Sequence, residues 1–184
     1  LFCVLLSSCS VNGQTRTLID TFQVNQQGCI VSRDSDTSCS RSGTASDSDI
    51  FGGERDLSIT VDVGLSPSCS GIRSSSISIS PTGRLNNDPQ QDVGLLTLAS
   101  DQSCAAQAVA QYDGVDGSPN RDFTNTFGGR NNFEASYSAL RIRYAADTVA
   151  TFTVDFFSNS DSERCSATFV TQAGDSIVER TVLF

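Results

Sequence analysis

The chain has no histidine, lysine, methionine or tryptophan among its 184 residues. Without imidazole it lacks the commonest general base and metal ligand, so Ser-His-Asp and Cys-His nucleophile systems are excluded, as are zinc sites built on histidine. Without lysine it can form neither a Schiff base nor the phosphate-gripping lysine of a nucleotide loop. Tryptophan, the usual platform for sugars, is missing too. Only four glutamates occur, Glu54, Glu134, Glu163 and Glu179, which with the missing tryptophan argues against a carboxylate-pair glycosidase. No catalytic residue set is expected, and the chain reads as a non-enzyme.

What the sequence does contain is acid, hydroxyl groups and cysteine. Twelve arginines face 21 acidic residues, a net charge of −9. Such a surface repels nucleic acid and anionic membranes, so neither is an expected partner. No stretch is long and apolar enough to predict a membrane-spanning helix. The seven cysteines lie at positions 3, 9, 29, 39, 69, 104 and 165, with no Cys-x-x-Cys pair. Dispersed cysteines in a chain rich in Ser, Thr and Asp imply disulfides formed in an oxidising, extracellular compartment. Cys29 with Cys39 is the easiest local closure, across a polar loop between apolar runs, and Cys69 with Cys104 is the next candidate. No Asn-x-Ser/Thr acceptor is present, and O-linked sugar on the serines is left open.

Hydrophobic periodicity is that of strands throughout. Leu57, Ile59, Val61 and Val63 alternate with polar residues, as do Ile77 and Ile79, then Leu140, Ile142 and Tyr144, then Phe152, Val154 and Phe156. Cys165 to Thr171 is another β-rich stretch, and Val93 to Leu98 is a continuous apolar run. Cys104 to Ala110 is rich in alanine, a helix former, but the alternation of Ala106, Ala108 and Ala110 favours a strand. Ser32 to Asp49 lacks apolar spacing and is expected to be an exposed loop. Ser66 to Ser80 carries Ile72, Ile77 and Ile79 and reads as a strand with a hydroxylated outer face. Turn signals at Gly52-Gly53, Pro81-Thr82-Gly83, Asp113-Gly114 and Gly128-Gly129 separate these runs. Roughly ten short strands predict an all-β domain, an antiparallel β-sandwich or jelly roll.

The organisation divides into residues 1–17, an apolar strand with a polar spacer, and a β domain over 18–184. Leu6-Ser7-Ser8-Cys9 has the look of a lipobox at the end of a secretory signal. Taken instead as part of the mature chain, Leu1, Phe2, Val4, Leu5 and Leu6 form a strand suited to pairing within its own sheet or with another copy. The apolar run from Ile177 to Phe184 adds a second such segment. Self-association is therefore the expected partnership, with glycans as the alternative.

Two loops carry candidate site residues. In Phe51-Gly52-Gly53-Glu54-Arg55-Asp56-Leu57, Gly52 and Gly53 permit a tight turn into a strand, and Arg55 between two acids suits a bidentate ion pair pinning the loop. This is either a structural corner or the rim of a sugar- or carboxylate-binding site. In the segment from Asp113 to Asp122, Asp113, Asp116 and Asp122 offer hard oxygen ligands between glycines, the chemistry calcium requires. The spacing is not that of an EF-hand, Arg121 opposes a cation, and solvated turn aspartates are the simpler account. Asp34, Asp36, Asp47 and Asp49 make a second acidic loop. No other cofactor is expected.

The run from Gly52 to Leu57, with Tyr112-Asp113-Gly114 after it, resembles secreted bacterial-type β-sandwich domains of exported and surface proteins. There a Gly-Gly-x-Arg-Asp segment opens one strand and a Tyr-Asp-Gly segment ends a later one. The resemblance implies the fold and export over residues 18 to 184, and it brings no catalytic residues. The expected function is an extracellular structural subunit assembling into a filament or surface layer, with a carbohydrate- or ligand-binding module as the alternative.

Overall fold

A computed structural model describes residues 2–8, 19–32, 38–46, 49–62, 74–82, 94–100, 105–120, 139–158 and 160–183. Every regular element among them is a strand. In chain order these are β1 (Phe2–Ser8), β2 (Cys29–Ser32), β3 (Ser38–Thr44), β4 (Glu54–Asp62), β5 (Ser74–Ser80), β6 (Leu95–Ala99), β7 (Ala105–Gln111), β8 (Ala139–Ala146), β9 (Thr151–Ser158), β10 (Ser160–Val170) and β11 (Gly174–Leu183). All pairings between them are antiparallel. The expected all-β, antiparallel character holds.

The strands form three sheets: a six-stranded sheet in the order β11-β8-β1-β6-β5-β2, a three-stranded sheet β3-β4-β7, and the β9-β10 pair. β1 lies inside the large sheet, with Val4 in register with Leu96 on one side and Tyr144 on the other. It thus pairs within its own chain.

Alternation decides what each strand buries. Ile77, Ile79, Leu140, Ile142 and Tyr144 from the large sheet join Leu57 and Ile59 of β4 in one buried cluster. Each fully buried aliphatic side chain of this kind stabilises the fold by roughly 1.5–3 kcal/mol. Phe152, Phe156 and Phe169 of the β9-β10 pair pack against the same cluster, Phe169 lying 5.1 Å from Phe152 and 6.3 Å from Tyr144 between ring centroids. The opposite face of this pair is hydroxylated and exposed, with Thr153 and Thr168 hydroxyls 3.0 Å apart.

A disulfide joins Cys29 of β2 to Cys39 of β3, with the Cα atoms 5.5 Å apart, and so ties the six-stranded sheet to the three-stranded one. The sequence placed this bridge correctly. Cys69 and Cys104 lie outside the described residues, as do Leu1, Asp122 and Gly128-Gly129.

One expectation is corrected. The serine-rich stretch from Ser32 to Asp49, read as an exposed loop, contains β3, whose Ser38 to Thr44 pair residue by residue with Thr60 to Glu54. β3 carries almost no apolar signal because its partner and its disulfide hold it, not a buried face of its own. The alanine-rich segment is a strand, β7, in accord with its alternation.

Candidate functional site

Gly52 and Gly53 have φ of 83° and 85°, a left-handed turn that only glycine adopts without strain, and β4 begins directly after them. The first residues of β4 then alternate between two environments. Arg55 turns with Leu57 and Ile59 towards the core, while Glu54 and Asp56 take the other face, beneath the segment that follows β7. All three charged residues are buried. Both faces of the strand are covered at this point, and a polar cluster lies on each.

On the core side the Arg55 guanidinium is wholly buried and each of its three nitrogens donates a hydrogen bond. Nη1 donates to Asp20 Oδ2 at 2.5 Å, Nε to Gln26 Oε1 at 2.8 Å and Nη2 to the Val24 carbonyl at 3.2 Å. The Gln26 amide donates in turn to the Arg41 and Arg55 carbonyls, each at 3.1 Å, bridging β3 and β4. Gly43 stands opposite Arg55 in register, and a Cβ there would lie 2.6 Å from Gln26 Cδ, so the glycine makes the space that the amide occupies.

Asp20 is the hub of this cluster. Its Oδ1 accepts the Phe22 N–H at 2.7 Å and its Oδ2 also accepts the Tyr112 hydroxyl at 2.8 Å. Phe22 holds φ of 52°, uncommon for a bulky residue, and its buried ring lies 5.6 Å from the Arg55 guanidinium carbon. Burial raises the Asp20 carboxyl above its ordinary value, while Arg55, the Phe22 N–H and Tyr112 pull it back. The Tyr112 ring is partly exposed, but its hydroxyl end is buried, which pushes that group well above the usual phenol range; the Asp20 charge adds to the rise.

On the other face, Glu54 Oε2 accepts the backbone N–H groups of Asp116 and Gly117, both at 3.1 Å, and so anchors the segment after β7 over the start of β4. Asp116 Oδ1 accepts the Ser118 N–H at 2.6 Å, and Asp113 Oδ2 accepts the Gln111 side-chain amide at 2.7 Å. Carboxylate oxygens of Glu54, Asp56 and Asp116 lie within 4.8 Å of one another. Asp56 is only 3% exposed, and neither of its oxygens has a hydrogen-bond partner. Its carboxyl is pushed up to about 7, first by burial and further by the charges of Asp113 and Glu54; the Ser42 hydroxyl, nearby but outside hydrogen-bonding geometry, lowers it.

The residues singled out from sequence are thus brought together only in part. Gly52, Gly53, Arg55 and Asp56 sit at one corner as a group. Arg55, however, pairs with neither flanking acid: alternation points Glu54 and Asp56 away from it, and its partner is Asp20. Of the calcium candidates, Asp113 and Asp116 lie over β4, and Asp116 converges with Glu54 and Asp56. In the second acidic loop, Asp49 accepts the Ser46 hydroxyl at 2.5 Å. Sequence reasoning missed Asp20 and Gln26. The one available signal for Asp20 was a lone acid within the apolar-rich run from 18 to 24.

Comparison with protein-family models, with curated proteins and with solved structures finds no match. No helix among the described residues is long and apolar enough to cross a membrane.

Proposed function

We propose that this chain is a non-catalytic structural module of an extracellular protein, and that it self-associates by adding strands along an open sheet edge. On this reading the six- and three-stranded sheets are the two layers of a sandwich, pinned by Cys29–Cys39. The observation that carries the reading is β11. It is ten residues long, pairs with β8 on one side, and is outermost in the six-stranded sheet among the described residues. Glu179, Arg180 and Thr181 are successively exposed and Leu183 is 76% exposed, while Ile177, Val178 and Val182 pack against the core and hold the strand to its own sheet. A second copy of the chain supplies the missing neighbour by strand addition. The alternative, a carbohydrate- or ligand-binding module with its rim at Gly52 to Arg55, is less favoured because Arg55 is sealed inside the molecule and ion-paired to Asp20.

Sedimentation velocity over a wide concentration range tests this. Concentration-dependent oligomers are expected, and Leu183→Glu with Thr181→Glu should weaken them without lowering the melting temperature. A chain that stays monomeric at every concentration overturns the proposal.

A further inference from the structure

We propose that Glu54, Asp56 and Asp116 form a binding site for a hard divalent cation, with calcium as the best match. The site lies on the face of β4 opposite the Arg55 cluster. Only Asp116 is shared with the acidic set that the sequence suggested.

The geometry comes from two local rules. Residues two apart on a strand share a face, which places Glu54 and Asp56 side by side. The glycine turns at Gly114 and Gly117, with φ of 96° and 70°, fold the segment after β7 back so that Asp116 meets them. The resulting set of oxygens spans no more than 4.8 Å. Calcium takes oxygen ligands at about 2.3–2.6 Å in flexible geometry and so accepts an irregular set of protein carboxylates, whereas magnesium demands near-ideal octahedral geometry at about 2.0–2.1 Å and keeps several waters.

A second observation is independent of the clustering. Glu54 is wholly buried, and its Oε2 is used by the two backbone N–H groups, but its Oε1 has no hydrogen-bond partner. Both Asp56 oxygens are in the same condition. Buried carboxylate oxygens without hydrogen-bond partners are costly for a fold, and a cation held by Glu54 and Asp56 would relieve that cost. Arg55, the nearest basic residue in sequence, faces the other way and is already neutralised by Asp20. Asp116 is exposed, which gives the ion a way in from solvent and leaves positions for water ligands. Carboxylates alone, without imidazole or thiolate, disfavour zinc. The bound ion would clamp the segment after β7 onto β4, at the roughly 10⁻⁴–10⁻³ M affinity common to extracellular calcium modules.

The test uses the full chain stripped of metal by a chelator. Isothermal titration and thermal unfolding are followed with calcium chloride, and with magnesium chloride at equal ionic strength. Calcium should give a saturable one-site heat and raise the melting temperature. Asp56→Asn, nearly isosteric, should abolish both effects. Asp116→Asn, at an exposed position that cannot disturb folding greatly, should weaken binding at least tenfold. Absence of a calcium response, undiminished binding in these variants, or an equal response to magnesium overturns the proposal.

Discussion

Arg55 Nη1 and Asp20 Oδ2 meet at 2.5 Å, with both side chains fully buried and 35 residues apart in sequence. Two charges removed from water repay their desolvation only when geometry and additional hydrogen bonds are good, and here Gln26, Val24, Phe22 and Tyr112 supply those bonds. Removing one partner leaves the other charge stranded. Asp20→Ala and Arg55→Met should each destabilise the fold by about 3–5 kcal/mol, with the double variant costing far less than the two together. Urea unfolding of the four proteins of the cycle measures this.

The Tyr112 hydroxyl contributes one hydrogen bond to the same carboxylate. Tyr112→Phe should therefore cost about 1.5–3 kcal/mol, the range for a bond to a charged group, and should not alter the strand content seen by far-ultraviolet circular dichroism.

The Cys29–Cys39 bridge closes a short loop between two sheets. Replacing both cysteines by serine should lower stability by about 2–3 kcal/mol, as loop-closure entropy predicts for such a span. Chemical denaturation of the variant against the oxidised parent provides the comparison.

Asp56 has its carboxyl raised from 3.8 to about 7 in the folded chain. Between those values the native state binds more protons than the unfolded one, so stability falls as pH rises through the window. Below it both states are protonated and this group has no effect; above it the loss is complete. Asp56→Asn should flatten that slope in metal-free buffer and leave the variant more stable than the parent at neutral pH. Melting temperatures recorded across the window will show whether the two curves diverge.

Gly94 has φ of 100°, and a Cβ there would lie 2.4 Å from the Thr21 carbonyl oxygen and 2.6 Å from the Phe22 carbonyl carbon. Backbone cannot move aside as a side chain can. Gly94→Ala should cost roughly 2–4 kcal/mol from combined strain and overpacking, and should loosen the Asp20–Phe22 turn packed against it. Native-state hydrogen exchange of the Phe22 amide would register that loosening.

The β character of the chain was legible because alternation is local. Leu57 and Ile59, Ile77 and Ile79, and Leu140, Ile142 and Tyr144 each announce a strand with one buried face, and the glycine pair before Glu54 announces where β4 starts. β3 was not legible. Its residues are three serines, a threonine, an arginine, a glycine and Cys39, and only its register against β4 and the bond from Cys39 make it a strand.

The candidate site divides in the same way. Residue types alone removed histidine- and lysine-dependent chemistry and marked the corner from Gly52 to Asp56 as unusual. Period-two geometry, applied to that corner, already requires Arg55 and its acidic neighbours to face opposite sides. Which groups wait on those sides was decided by the tertiary structure: Asp20 and Gln26 arrive from the stretch before β2, and Asp116 from the turn after β7. Such meetings depend on how strands order themselves in sheets, a choice set by the shared core and by buried charges finding partners, and local sequence carries no record of it.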